Sequence, residues 1–327
     1  MIRDPQRRIG AALCALACAA SLAFAGNALA QSDKAIRWIV PFPPGGIADV
    51  IARQISARLQ PALNQPVVVE NRAGAGGMIG TGLVAKGPKD ASMLMIAGTV
   101  VPTAPLLYKS LSFDPFKDLA PVVQVGYTAN ILVLAADHPI NTVKELVETA
   151  KKNPGKLNYA SVGNGSLLQL AAEQFKRDTG TNIVQIPYKG GGDTVAAIIA
   201  RQVDFMFDNM VFSLPQVQAG KMKAIAVTTR ERDPALPNVP TMIEQGFPDF
   251  VITTWNGIWT TGGSPPEAVG RLEGEIRKIV ASPEFAQIVA KTGIRVTNLG
   301  SKEMARALTD EYQHWDKVMK FAGVQPE

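Results

Sequence analysis

Cysteine is nearly missing from this chain. Its 327 residues contain two, Cys14 and Cys18, both inside an N-terminal apolar stretch. Once that stretch is removed, no disulfide, thiol nucleophile or thiolate metal site is left, and the fold must rest on its core. Histidine is equally scarce. His138 precedes Pro139 in a turn and His314 lies among polar helical neighbours, so both read as surface residues rather than bases. The sequence has no G-x-S-x-G elbow, P-loop or H-E-x-x-H motif, and no clustered metal ligands, so no cofactor or metal is expected. Asp49, Asp193 and Asp208 could include an acid pair, but carboxylates at helix starts usually cap. Charge is modest at 19% of residues and a net +5, part of which comes from Arg3, Arg7 and Arg8. Lys and Arg form no stripe, so nucleic acid is not implied. After the first thirty positions no apolar run is long enough to span a bilayer.

What is present begins with an address. Arg3, Arg7 and Arg8, the apolar run from Ile9 to Phe24, and Ala28-Leu29-Ala30 compose a secretory signal at residues 1–30. Cleavage near Ala30 would release a periplasmic chain starting near Gln31. The remainder, 46% hydrophobic, is long enough for two sizeable cores.

The stretch from Trp38 to Asp49 organises the rest. A β-branched strand, Ile36 to Val40, meets Pro41, Pro43 and Pro44, which cannot continue it. Gly45-Gly46 follows, and then Ile47, Val50, Ile51, Ile55 and Leu59 recur at helical spacing. The helix therefore opens on bare N–H groups at the positive end of its dipole, which favours an anion; an empty tight turn is the bland alternative. The device repeats at Gly163-Asn164-Gly165-Ser166 and at Gly190-Gly191-Gly192. Gly74 and Gly76 do not extend to a dinucleotide fingerprint, because position 79 is Ile79. Successive strand–glycine loop–helix units predict parallel sheets with ligands at the carboxyl ends of the strands. A crossing near Tyr127-Thr128-Ala129 and a proline-rich return from Arg230 to Phe250 divide the chain. Residues 31–127 and 231–327 would form one lobe and 128–230 the other. Trp255 and Trp259, four apart in a strand, share a face and read as core.

Five motifs occur in order: Val40-Pro41-Phe42-Pro43-Pro44-Gly45-Gly46 with Asp49; Val69-Glu70-Asn71-Arg72-Ala73-Gly74-Ala75-Gly76-Gly77; Tyr159-Ala160-Ser161-Val162-Gly163-Asn164-Gly165; Pro187-Tyr188-Lys189-Gly190; and Val203-Asp204-Phe205-Met206-Phe207-Asp208. Together they resemble the extracytoplasmic solute receptors of tripartite tricarboxylate transporters, the Bug or TctC family. The resemblance implies an α/β, type II periplasmic-binding-protein fold: two lobes of central sheets flanked by helices, a hinge, and a ligand cleft between them. It implies a binding protein rather than an enzyme, one that captures a small organic carboxylate and delivers it to membrane permease subunits; a monomer is the default expectation. Carried over by position, the loop from Phe42 through Gly45 and Gly46 to Asp49 would hold a carboxylate. Ser161, Asn164 and Ser166 would meet it from the other lobe, Lys189 and Gly190 would stand at the cleft, and Asp208 would order loops or waters. The loop containing Thr99 and Val100, and the pair Leu167-Leu168, are less polar than is usual in the family. They point to an aromatic or longer dicarboxylate such as terephthalate or adipate; inward packing of both leucines is the even alternative. A carboxylic-acid enzyme on the same fold, or an accessory presenting ligand to a sensor kinase, are the competing functions.

Overall fold

The computed structural model describes residues 35–162, 166–188, 190–290 and 292–326. The signal at 1–30, Asn164 and Lys189 lie outside the described residues.

Strand β1 (Ile36–Val40) is buried on both faces apart from Arg37, as its unbroken apolar run requires. Helix α1 (Ile47–Leu63) buries Ile51, Ile55 and Leu59 and ends at Asn64 in the left-handed conformation, φ 50°. There the Asn64 N–H closes the last turn on Gln60 and Pro61. β2 (Val67–Asn71) and β3 (Met93–Ala97) flank β1 in parallel. Helices α2 (Met78–Ala85) and α3 (Val100–Leu107) carry the chain around them.

β4 (Leu119–Ala135) is one continuous strand of 17 residues. The crossing expected near Tyr127 is therefore made without a break. Its first half pairs with β9 (Thr253–Thr261) and β10 (Arg295–Gly300), and its second half with β7 (Met206–Asn209) and β8 (Met222–Val227), all antiparallel. Beside this second sheet stand α4 (Val143–Lys152), the parallel pair β5 (Asn158–Ser161) and β6 (Val184–Pro187), α5 (Leu167–Thr179), α6 (Gly191–Ile199) and α7 (Met210–Gln218). The all-parallel expectation thus needs correcting. β9, arriving from late in the chain, inserts antiparallel between β3 and β4. The parallel order holds among β1, β2 and β3 and between β5 and β6.

Two further differences bear on the division into halves. Met242, Phe250 and Ile252 lie past residue 230, yet they pack in the second core with Phe175 and Phe207. After α8 (Pro266–Val280) and α9 (Pro283–Ala290), the long helix α10 (Ser301–Ala322) serves both cores. Met304 and Leu308 pack with Trp259, whereas Trp315, Val318 and Met319 pack with Phe175. Both histidines are also more enclosed than expected. His138 is 7% exposed, its Nδ1 accepting from the Ile140 N–H, and His314 bonds Gln174 at 2.8 Å. A helix face or turn that looks polar in sequence is covered here by α5 and by the β4–β8 edge.

Candidate functional site

Helices start where strands stop, and the starts of four helices meet at one cleft of about 440 Å³. The β1–α1 loop supplies Phe42, Gly46, Ile47 and Ala48, and the β3–α3 turn supplies Gly98, Thr99 and Val100. From the other sheet come Val162, Ser166, Leu167 and Leu168 at α5, with Asn209 and Phe212 at α7. The floor is Thr128 on β4 and Thr254, Trp255 and Asn256 on β9. None of these described lining residues is charged. A hollow of about 530 Å³ between α1 and α8 lies at the amino ends of β1 and β3, away from the glycine loops, and draws residues from one half alone.

The four helix starts are not equivalent. Ser166 Oγ accepts from the Gln169 N–H at 3.3 Å, and Asn209 Oδ1 from the Val211 N–H at 3.0 Å, so α5 and α7 are capped. Gly46 and Thr99 provide no side-chain cap for α1 and α3. The opening amides of α1 are available to a carboxylate, with the dipole adding to their attraction; at α3 the Val101 N–H donates to the Gly98 carbonyl at 2.9 Å and Pro102 has none, which leaves the Val100 amide. Fixed dipoles hold an anion with less desolvation than a buried Lys or Arg would suffer.

Asp49 builds this loop rather than lining it. It is 5% exposed and its carboxylate accepts from the Gly45 N–H at 3.0 Å, Arg53 Nε at 3.0 Å and Asn71 Nδ2 at 2.9 Å. The Asn71 amide also reaches the Phe42 carbonyl at 3.2 Å. The Arg53 guanidinium, helped by those hydrogen bonds, holds the Asp49 carboxyl down to about 2. Gly45 takes φ +85°, a conformation that favours glycine, and so turns the chain into α1.

The hinge is polar where the sheets meet. Thr128 Oγ1 donates to the Thr254 carbonyl at 3.2 Å and accepts from Asn209 Nδ2 at 2.6 Å. Asn130 Nδ2 donates to the Ile252 carbonyl at 3.2 Å, and its Oδ1 accepts from Thr254 Oγ1 at 3.1 Å. Behind the floor, Glu311 of α10 accepts from Trp255 Nε1 at 2.7 Å and from Trp315 Nε1 at 3.2 Å, facing the Thr99 hydroxyl. Burial pushes its carboxyl up to about 7.

Of the residues expected at the cleft, the structure brings Phe42, Gly46, Thr99, Val100 and Ser166 together. Gly45 and Asp49 stand behind the first loop. Ser161 is buried and accepts from Gln185 Nε2 at 2.8 Å, beneath the second loop. Gly190 starts α6 outside the lining set. Asp208 is turned inward at 4% exposure, bonded to the Ser213 hydroxyl, and burial lifts its carboxyl to about 6; its neighbour Asn209 takes the place at the wall. Leu167 and Leu168 are partly buried and line the wall, and Leu167 packs against the second core as well. The floor residues were not anticipated.

Residues 51–324 match the tripartite tricarboxylate transporter family receptor, TctC. The chain belongs to this family. A UPF0065 protein from the tcbD–tcbE intergenic region of Pseudomonas sp. (strain P51) is 35% identical over 96% of this chain and 94% of its own length. The periplasmic binding protein BugD has 32% identity and a TM-score of 0.72, covering 90% of this chain and 99% of its own. An adipate-bound protein from R. palustris has 31% identity and a TM-score of 0.76 over 91% of this chain and all (100%) of its own. MatC from Rhodopseudomonas palustris with bound malate has 27% identity and a TM-score of 0.70 over 88% and 99%. The protein is accordingly a periplasmic solute-binding receptor of the TctC family.

One acid dependence follows from the loop. Asp49 and Glu70, the latter paired with Arg37 at 2.7 Å and Arg72 at 2.8 Å, are both held down to about 2. Carboxyls depressed in the folded state stabilise it above their ordinary pKa of about 4, and that contribution disappears as pH falls toward 2. Melting curves from pH 5 to pH 2 should show a steep acid limb that is shallower in Asp49→Asn. Parallel curves for the two proteins would remove Asp49 from the explanation.

Proposed function

We propose that this TctC-family receptor binds a carboxylic acid with an apolar body, an aromatic or longer-chain dicarboxylate of the terephthalate or adipate kind. It would act as a monomer, exported by cleavage near Ala30, and pass its ligand to the membrane subunits of a tripartite transporter. The observation that carries this reading is a cleft with no charged described residue, apolar walls, and two uncapped helix starts facing it. An acid head can be held by backbone dipoles while its body removes Phe42, Val100, Leu167 and Leu168 from water. The adipate-bound neighbour is consistent with such a body; malate, bound by MatC, is shorter and more polar. Phe42, Gly46, Thr99, Val100 and Ser166 are the proposed contacts. Asn164 and Lys189 remain proposed contacts from the sequence.

A thermal-shift screen of the mature chain tests the reading, with aliphatic di- and tricarboxylates, aromatic acids and amino acids. A ligand at a hundred times its Kd stabilises the folded state by about 2.7 kcal/mol. In a chain of this size that is a shift of a few degrees. Adipate- or terephthalate-like acids should shift the protein most. Tighter binding of citrate than of every such acid would reverse the assignment.

A further inference from the structure

One aromatic side chain at the cleft is out of keeping with its helix. On α7, Met210 and Ser213 turn inward, and Phe212 is 62% exposed, more than any other large apolar side chain among the described residues. It is not on a remote surface. It stands in the cleft wall together with Val162, which is 37% exposed. The turn that presents it is fixed from both sides. Asn209 caps the helix through the Val211 N–H and ties it to Thr128, while Ser213 anchors on Asp208. The backbone is therefore set and the ring is left in water, a placement that burial on the ligand would reward.

The opposite wall is apolar as well, with Phe42, Ile47 and Val100 from the first sheet. The β4 strand runs through both sheets, so the two walls face each other across it. A solute whose acid head sits at the α1 and α3 starts would present its body to Phe212.

We propose that Phe212 determines specificity: its ring packs on the non-carboxylate body of the ligand and selects acids with an aromatic or extended apolar body over short polar ones. This rests on the carboxylate reading above and adds a residue and a direction of selectivity to it. An exposed position tolerates truncation, so Phe212→Ala should fold and melt as the native protein does.

The test is calorimetric titration of native protein, Phe212→Ala and Phe212→Leu with adipate, terephthalate, malate and citrate. Phe212→Ala should lose tenfold or more in affinity for adipate and terephthalate and change less than twofold for malate. Phe212→Leu should recover adipate more than terephthalate, since it restores apolar area without a ring to stack. Equal affinities in native protein and Phe212→Ala would overturn the proposal, and so would an equal loss for all four acids. Unchanged binding with lost solute uptake in cells would also overturn it, assigning Phe212 to the permease. Native protein that binds none of the four would instead count against the carboxylate reading itself.

Discussion

Gly98→Ala is expected to abolish solute binding and lower stability by about 3 kcal/mol, the upper range for forcing atoms into a packed interior. The reason is local and rigid. A Cβ at Gly98 would lie 1.8 Å from the Trp255 carbonyl oxygen and 2.8 Å from its carbon, both backbone atoms of β9. No rotamer change relieves such a clash; β3 and β9 must separate. They are joined just there, Ala97 opposite Gly257, and the Trp259 indole donates to the Ala97 carbonyl at 2.9 Å. Gly98 and Trp255 both belong to the cleft, so the strain falls on the floor and on the start of α3. Gly270→Ala, in α8, is the control, because nothing lies within 4 Å of the Cβ it would add. There alanine's higher helix propensity should raise stability slightly. Urea unfolding of the ligand-free proteins measures both. A Gly98→Ala midpoint equal to the native one would mean that the strands yield without cost.

Glu311→Ala should be nearly as damaging, by about 2–4 kcal/mol, since it strands two buried indole donors at once. Trp255 and Trp315 both donate to this carboxylate, the first in the cleft floor and the second in the other core. Glu311→Gln keeps an acceptor and should retain most of the stability. It should also change the pH profile. Burial raises this carboxyl to about 7, above its ordinary value, so the folded state holds a proton that the unfolded chain releases sooner. That preference disfavours the folded state progressively as pH rises from about 4.5 to 7, with no further change above. Melting temperatures of the native protein should decline across that window. Those of Glu311→Gln should be flatter, leaving the smaller contribution of Asp208. An unaltered slope in Glu311→Gln would place the titration elsewhere.

Much of the cleft's first wall is legible in sequence because its determinants are local. Three prolines, two glycines and a 3.6-residue apolar period lie within one short segment, and Ser166 caps the helix it precedes. Asp49 is legible as a carboxylate at a helix start. Its partners Gly45 and Arg53 are each four residues away, a spacing equally suited to a cap or to a ligand group. The floor was not legible because its determinants are distant. Trp255 depends on Glu311, 56 residues further on, and nothing near either residue signals the other. The reason for Gly126 is also distant, since a Cβ there would lie 2.2 Å from the Arg295 carbonyl oxygen. The glycine admits β10, and β4 continues through it. The histidines looked exposed because polar neighbours in sequence say nothing of the elements that pack over them.

The path of α10 ties the completeness of one half to that of the other. β9, the strand between β3 and β4, is made late, and until it arrives the apolar edge of β3 has no partner on that side. The second core is no more independent, for Trp315, Val318 and Met319 belong to it. Both cores are completed by α10, which gives Met304 and Leu308 to one and Trp315, Val318 and Met319 to the other. Loss of this one helix would uncover apolar side chains in both at once.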